Sequence, residues 1–324
     1  MQTTPFSGFL VRDDKSWQQC LESSYTVLRS SWHGEWVGLP WVLKFLWASQ
    51  VDNHGSDALG RRRSWLLLSQ LAIVWGLIAM SFNDPQTERT KEALANVHHW
   101  HRSQELATYL DLLPRGVELS QGNVQASQVC SVWADVQSKM DRSMRAVMAH
   151  AAPVAQLLGP RQLSHLARHQ ESKNEDWDQQ WLQGSASDRL ERRLDKTLER
   201  YRSFYGELTT AQMALVKTQV SQSVWSPEWG RHDRLRREQD LLSTLRRLSH
   251  SDMPADQAEA ELWGVWQRWF MPPDEAGRTL VKRMTQQACD NLAQLHNTTS
   301  PEQRLRMTRT LRSYERDIRD LIRP

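Results

Sequence analysis

Leu190, Leu194, Leu198, Tyr201, Tyr205 and Leu208 recur at intervals of three and four, with arginines and acids between them. That spacing lays one apolar stripe down a helix. The same rhythm returns at Leu305, Leu311, Tyr314, Ile318 and Leu321. Further helices follow from their start and stop signals. Asp84-Pro85 opens one that runs through EALANVHHWHRSQELATYLDLL and is expected to stop near Pro114-Arg115-Gly116. A second covers about 124–150, and Gly159-Pro160 opens a third, which carries Trp177 and Trp181 four apart before Gly184. Others lie near 235–250, 256–271 and 274–296. No run alternates as a strand would, so the pattern predicts an all-α fold, a multi-helix bundle of antiparallel helix pairs without a significant sheet.

The helix entrances share a chemistry. Asn297 and Thr298 break one helix, Ser300 caps the next with Pro301 at its first position, and Gln303 sits where a capping box wants it. Thr209 and Gln212 form a second box, with Leu208 and Met213 placed as its hydrophobic staple. NDPQ at 83, GPRQ at 159, LTTAQ at 208 and TSPEQ at 299 repeat the theme. These starts resemble the Leu-Thr-x-x-Gln motif of Spy-like periplasmic chaperones, helical hairpins that hold unfolded clients. Ordinary capping boxes account for the same residues.

The first part of the chain reads differently. Residues 1–63 show no clean period and hold Trp17, Trp32, Trp36, Trp41 and Trp47, out of 16 tryptophans in the chain. They form an atypical Trp-rich region ahead of a helical domain at 64–324. Arg61, Arg62 and Arg63 then precede SWLLLSQLAIVWGLIAMSFN, residues 64–83, which carry no charge. That length suffices to span a bilayer, with the arginines on the cytoplasmic side. A buried core helix is the other reading, because Ser69, Gln70, Gly76 and Ser81 dilute the apolar run.

Charge and motifs narrow the chemistry. There are 41 basic and 38 acidic residues, mixed along the same helices, which describes solvated faces and not a stripe for nucleic acid. His98, His99 and His101 form the one dense histidine cluster, but 98 and 101 share a face that 99 leaves. A surface or packing role, with His101 pairing to Glu105 and Tyr109 stacking one turn on, is expected in place of a metal site. The chain holds no GxGxxG, GxSxG, Walker A or HExxH pattern. No catalytic, cofactor-binding or metal-ligating residue is assigned, and no cofactor is expected.

Residues 68–321 resemble a family of predicted lipoproteins from Gram-negative bacteria, known only as a domain of unknown function. The resemblance is carried by LSQLAIVWGLIAMSFNDPQTERTKEAL, HHWHRSQELATYLDLL, SQVCSVWADV, LERRLDKTLERYRSFYGELTTAQ and ACDNLAQLHNTTSPEQR with LRSYERDIRDL. It implies an all-helical envelope protein, periplasmic or membrane-associated, with no catalytic residues to carry over. It also favours the core reading of the apolar run, with Leu71 and Trp75 touching later helices. Cys20, in SWQQC, lacks the apolar and small residues that a lipidation site needs. If the domain occupies an oxidising compartment, Cys130 and Cys289 are expected to be neighbours able to form a disulfide, with Cys20 left over. Two separate buried thiols are the alternative. The leading expectation is a non-enzymatic envelope protein that binds a protein partner or unfolded client in a chaperone-like way. A membrane-anchored helical scaffold is the alternative, and an enzyme with acids or histidines converging in a pocket is the third.

Overall fold

The structure, a computed structural model, describes residues 83–322, all within the second of two compact units, residues 39–324. The boundary expected at 63/64, the apolar run before Asn83 and its expected contacts through Leu71 and Trp75 lie outside the described residues. Among those residues every regular element is helical, and none is long and apolar enough to cross a membrane.

Helix α1 (Asp84–Trp100) starts at an Asn83 cap and leads without a break into a π-helical segment, His101–Glu105. A 3-10 segment, Leu106–Asp111, and α2 (Leu112–Gln121) follow. The stop expected at Pro114 does not occur. Pro114 falls in the first turn of α2, where its missing N–H breaks no α-helical bond. Gly116 continues the helix and brings its backbone against Leu311, whose Cδ1 lies 3.5 Å from where a Cβ would stand.

Helix α3 (Ala126–Gln156) is the long central element, roughly 46 Å at 1.5 Å per residue, and it carries Pro153 in its last turn. It packs against α1, α2 and, further on, α7, α8 and α9. Helix α4 (Pro160–Trp177) ends in a π turn, Asp178–Leu182. Helix α5 (Ala186–Tyr205) bears the leucine and tyrosine stripe and stops at Gly206, whose φ of 77° an L side chain would strain. Then come α6 (Thr210–Ser221), α7 (Pro227–Ser249), α8 (Ala255–Phe270), α9 (Glu275–Asn297) and α10 (Pro301–Ile322). Helix α7 begins two turns before the leucine pattern suggests, because Ser226 caps it and Pro227 takes its first position.

Three apolar clusters hold these helices. At one end of α3, Ala152, Ala155 and Leu158 meet Leu163 of α4, Leu245 and Leu248 of α7, and Leu262 of α8. In the middle, Leu106, Tyr109, Met140, Trp266 and Ile318 converge. The third joins Leu198 and Tyr205 of α5 to Leu208, Val216, Val220 and Leu295. Leu208 and Met213, the expected staple, both belong to this third cluster. Leu248 and Leu295 are wholly buried, and truncating either to alanine should cost about 2–5 kcal/mol.

Candidate functional site

The four glutamine-bearing entrances come together in pairs. Gln86 and Gln162 exchange hydrogen bonds, the Nε2 of each donating to the Oε1 of the other at 3.0 and 2.8 Å. Gln212 and Gln303 do the same at 2.9 and 3.0 Å. Each Oε1 also accepts the backbone N–H of its own cap residue: Asn83, Gly159, Thr209 and Ser300. Three of the glutamines spend their second N–H on a carbonyl two residues ahead of the partner's cap. Gln86 donates to Leu157, Gln212 to Thr298 at 3.0 Å, and Gln303 to Glu207 at 2.8 Å. A buried carboxamide with two donors and two acceptors filled has nothing left to offer a ligand. These pairs are joints. One sits at the C-terminal end of α3. The other sits near its N-terminal end, where Asn297 clasps both the N–H and the carbonyl of Val124.

The histidine cluster divides. His98 and His99 stay exposed in the last turn of α1, and no group of three His, Cys, Asp or Glu among the described residues is placed to hold a metal. His101 turns inward, 3.2 Å from the Tyr109 hydroxyl, which lies 3.1 Å from Ser143 Oγ. Burial and the neighbouring His98 lower its pKa to about 4, and burial pushes Tyr109 up to about 12. The expected pairing of His101 with Glu105 is corrected. The widened π turn carries Glu105 into the core, where its carboxylate faces Arg142 at 2.8 Å. Burial raises the Glu105 pKa against the pull of Arg142, Lys139 and Thr108.

A second buried histidine lies across the domain. His296 Nε2 donates to the Gly122 carbonyl at 2.9 Å, which leaves Nδ1 to accept the Tyr205 hydroxyl at 3.0 Å. Both rings are wholly enclosed, so the arrangement reads as a neutral core histidine locking α5 to α9.

Cys130 of α3 and Cys289 of α9 are joined as a disulfide, with Cα atoms 5.5 Å apart. Antiparallel packing of the two helices brings them together across 159 positions of sequence.

An open groove of about 380 Å³ lies between α4 and α7. The two helices run antiparallel: Leu163 meets Leu245 and Leu248 at one end, and Asp178 pairs with Arg231 at the other. Ala167, Leu235 and Leu242 supply apolar surface, and Gln170, Glu171, Glu175, Glu238 and Gln239 surround it. Its wall is a braced triad. Asn174 Nδ2 donates to Glu238 at 2.6 Å and its Oδ1 accepts from Arg234 at 2.6 Å, while Arg234 and Glu238 stand 3.1 Å apart. Burial raises the Glu238 carboxyl, opposed by the Asn174 hydrogen bond and by Arg234 and Arg231. Arg231 is fastened to Asp178 through Nε at 2.5 Å and Nη2 at 3.2 Å. Sequence reading misses this groove. Its walls lie some sixty positions apart and carry no motif; the one legible trace is Glu171 and Glu175, one turn apart on an exposed face.

Residues 79–262 match the model of a family of unknown function, DUF6279. The chain belongs to that family. The match takes in both walls of the groove and both cap glutamines of the first pair, and it ends before α9 and α10. Short stretches are similar to curated proteins. Over 52 residues the chain is 52% identical to an uncharacterized protein of Haemophilus influenzae, covering 16% of this chain and 12% of that protein. Over 62 residues it is 42% identical to the anhydromuropeptide permease of Escherichia coli K12, covering 19% of this chain and 13% of the permease. The chain thus spans about an eighth of the length of these relatives. No solved structure matches it.

Proposed function

We propose that this DUF6279 member is a non-enzymatic protein of the cell envelope that binds segments of other proteins along the α4/α7 groove, in a chaperone-like role. The groove itself carries the reading, being open, floored by leucines and rimmed by polar side chains. Four shifted groups outside the groove support it indirectly. His101, Tyr109, Tyr205 and His296 are consumed by core hydrogen bonds, and none of them lines the groove. The disulfide supports an oxidising compartment such as the periplasm.

The described surface argues for a localised site over a broad adhesive face. Large exposed hydrophobics are few and scattered: Leu157, Leu235, Met271 and Leu305, each on a different helix or turn. Leu235 is the one that lies in the groove.

The test is light scattering from a chemically unfolded client diluted into buffer without reductant, so that the disulfide stays intact. Suppression by the full chain at a several-fold excess, weakened by Leu235→Ser, is the expected result. Undiminished scattering at every ratio refutes the binding role.

A further inference from the structure

We infer that the groove takes a cationic amphipathic helix, a class of partner that the binding role alone does not specify; this rests on the groove being the binding site. The shape comes first. Two antiparallel helices offer parallel ridges into which a third helix nests at 8–10 Å. The lining runs from Ala167 to Glu175 on α4 and from Arg231 to Leu242 on α7. At 1.5 Å per residue that is roughly 12–16 Å, or two to three turns of a docked helix. Leu235 and Leu242 stand on one face of α7 and meet the apolar side of such a guest.

Charge then selects the guest. The lining holds three carboxylates, Glu171, Glu175 and Glu238, and a single guanidinium, Arg231. Arg231 is already committed to Asp178, and Glu238 to Arg234 and Asn174. Lys173, the lysine between the two α4 acids, turns to Asp176 at 2.8 Å. Glu171 and Glu175 are left exposed with no ion pair among the described residues, a like-charged pair one turn apart that repels itself. Lysines or arginines one turn apart on a docked helix relieve that repulsion, whereas an acidic helix compounds it. The apolar floor requires the same guest to present leucine-like side chains on its other face.

The experiment uses the full chain and a fluorescent peptide of about 14 residues, long enough to cover the groove, built as a Lys/Leu amphipathic helix. Two controls replace every lysine with glutamate, or shuffle the same residues so that no apolar face forms. Anisotropy should show the Lys/Leu helix binding, with affinity falling as salt rises. Glu171→Gln with Glu175→Gln should raise its Kd roughly five-fold, and Leu235→Asp should abolish binding while the melting temperature holds. Equal binding of the glutamate or the shuffled peptide, or a double variant that binds as the parent does, overturns the assignment. Two failures are distinguishable. If the Lys/Leu helix does not bind yet the chain suppresses client aggregation, the charge assignment falls and the binding role stands; if neither occurs, both fall.

Discussion

Gln212 and Gln303 face each other as a closed amide pair, each donating to the other at 2.9 and 3.0 Å, although 91 positions separate them. Glutamate, the usual alternative at this capping position, cannot replace either one. A carboxylate at 303 would set an oxygen against the Glu207 carbonyl that Gln303 now donates to at 2.8 Å, and it would bury a charge.

Gln303→Glu should therefore cost about 2–4 kcal/mol, more than Gln303→Ala, at neutral pH. Gln128→Glu is the control. Gln128 sits in the same capping position on α3, but it is exposed and its Oε1 serves the Gln125 N–H at 2.8 Å. That change should stay within about 0.5 kcal/mol. Urea midpoints of the three variants decide it; equal losses at 303 and 128 would show that the pairing contributes nothing.

Opening the Cys130–Cys289 bridge should lower stability by about 2–4 kcal/mol, because it releases a long loop in the unfolded chain. The measurement is the denaturation midpoint with and without reductant, beside the Cys130→Ser/Cys289→Ser double variant. A reductant effect that persists in the double variant would assign the loss to something else.

Stability should fall in mild acid. The folded pKa of His101 is depressed from 6.5 to about 4, so its contribution is fully present above 6.5 and is lost as pH falls through 4. For this one group the loss is on the order of 2–3 kcal/mol. His296, also lowered by burial, acts with the same sign. Glu105 acts oppositely, since its raised pKa gives a contribution present in acid and lost as pH climbs through the folded value. Urea midpoints followed from pH 6.5 to 4 should drop for the parent and drop less for His101→Gln. Parallel curves would remove His101 from the explanation.

Gly230→Ala should destabilise by about 1–3 kcal/mol. A Cβ there would stand 2.8 Å from Trp225 Cζ2 and 3.0 Å from Trp177 Cζ2, both parts of rigid rings. The check is a thermal melt of the variant, with tryptophan fluorescence following whether the rings move apart. An unchanged melt would mean that the rings yield at no cost.

The helices were legible wherever one residue type repeated on one face. The stripe from Leu190 to Tyr205 and the caps at Thr209 and Ser300 are local facts, fixed by neighbours three or four positions away. What eluded the sequence was relational. Nothing near Gln86 announces Gln162. Glu105 meets Arg142 of another helix, and Pro114 is tolerated because the α-helix starts afresh at Leu112, which puts the proline in its first turn. The groove was hidden for the same reason, since Glu171 and Leu235 become neighbours only when α4 and α7 pack.

The glutamine pairs also impose an order on how the chain comes into being. Gln86 and Gln162 are 76 positions apart, and both have been made long before Gln303 exists. Each pair is a loop closure whose entropy must be met before its bonds form. During synthesis from the N-terminus, the first joint can close while the second still lacks a member. A chain truncated before residue 300 would keep the groove-bearing helices and leave Gln212 facing no partner, so premature termination should yield a species folded at one end of α3 and open at the other.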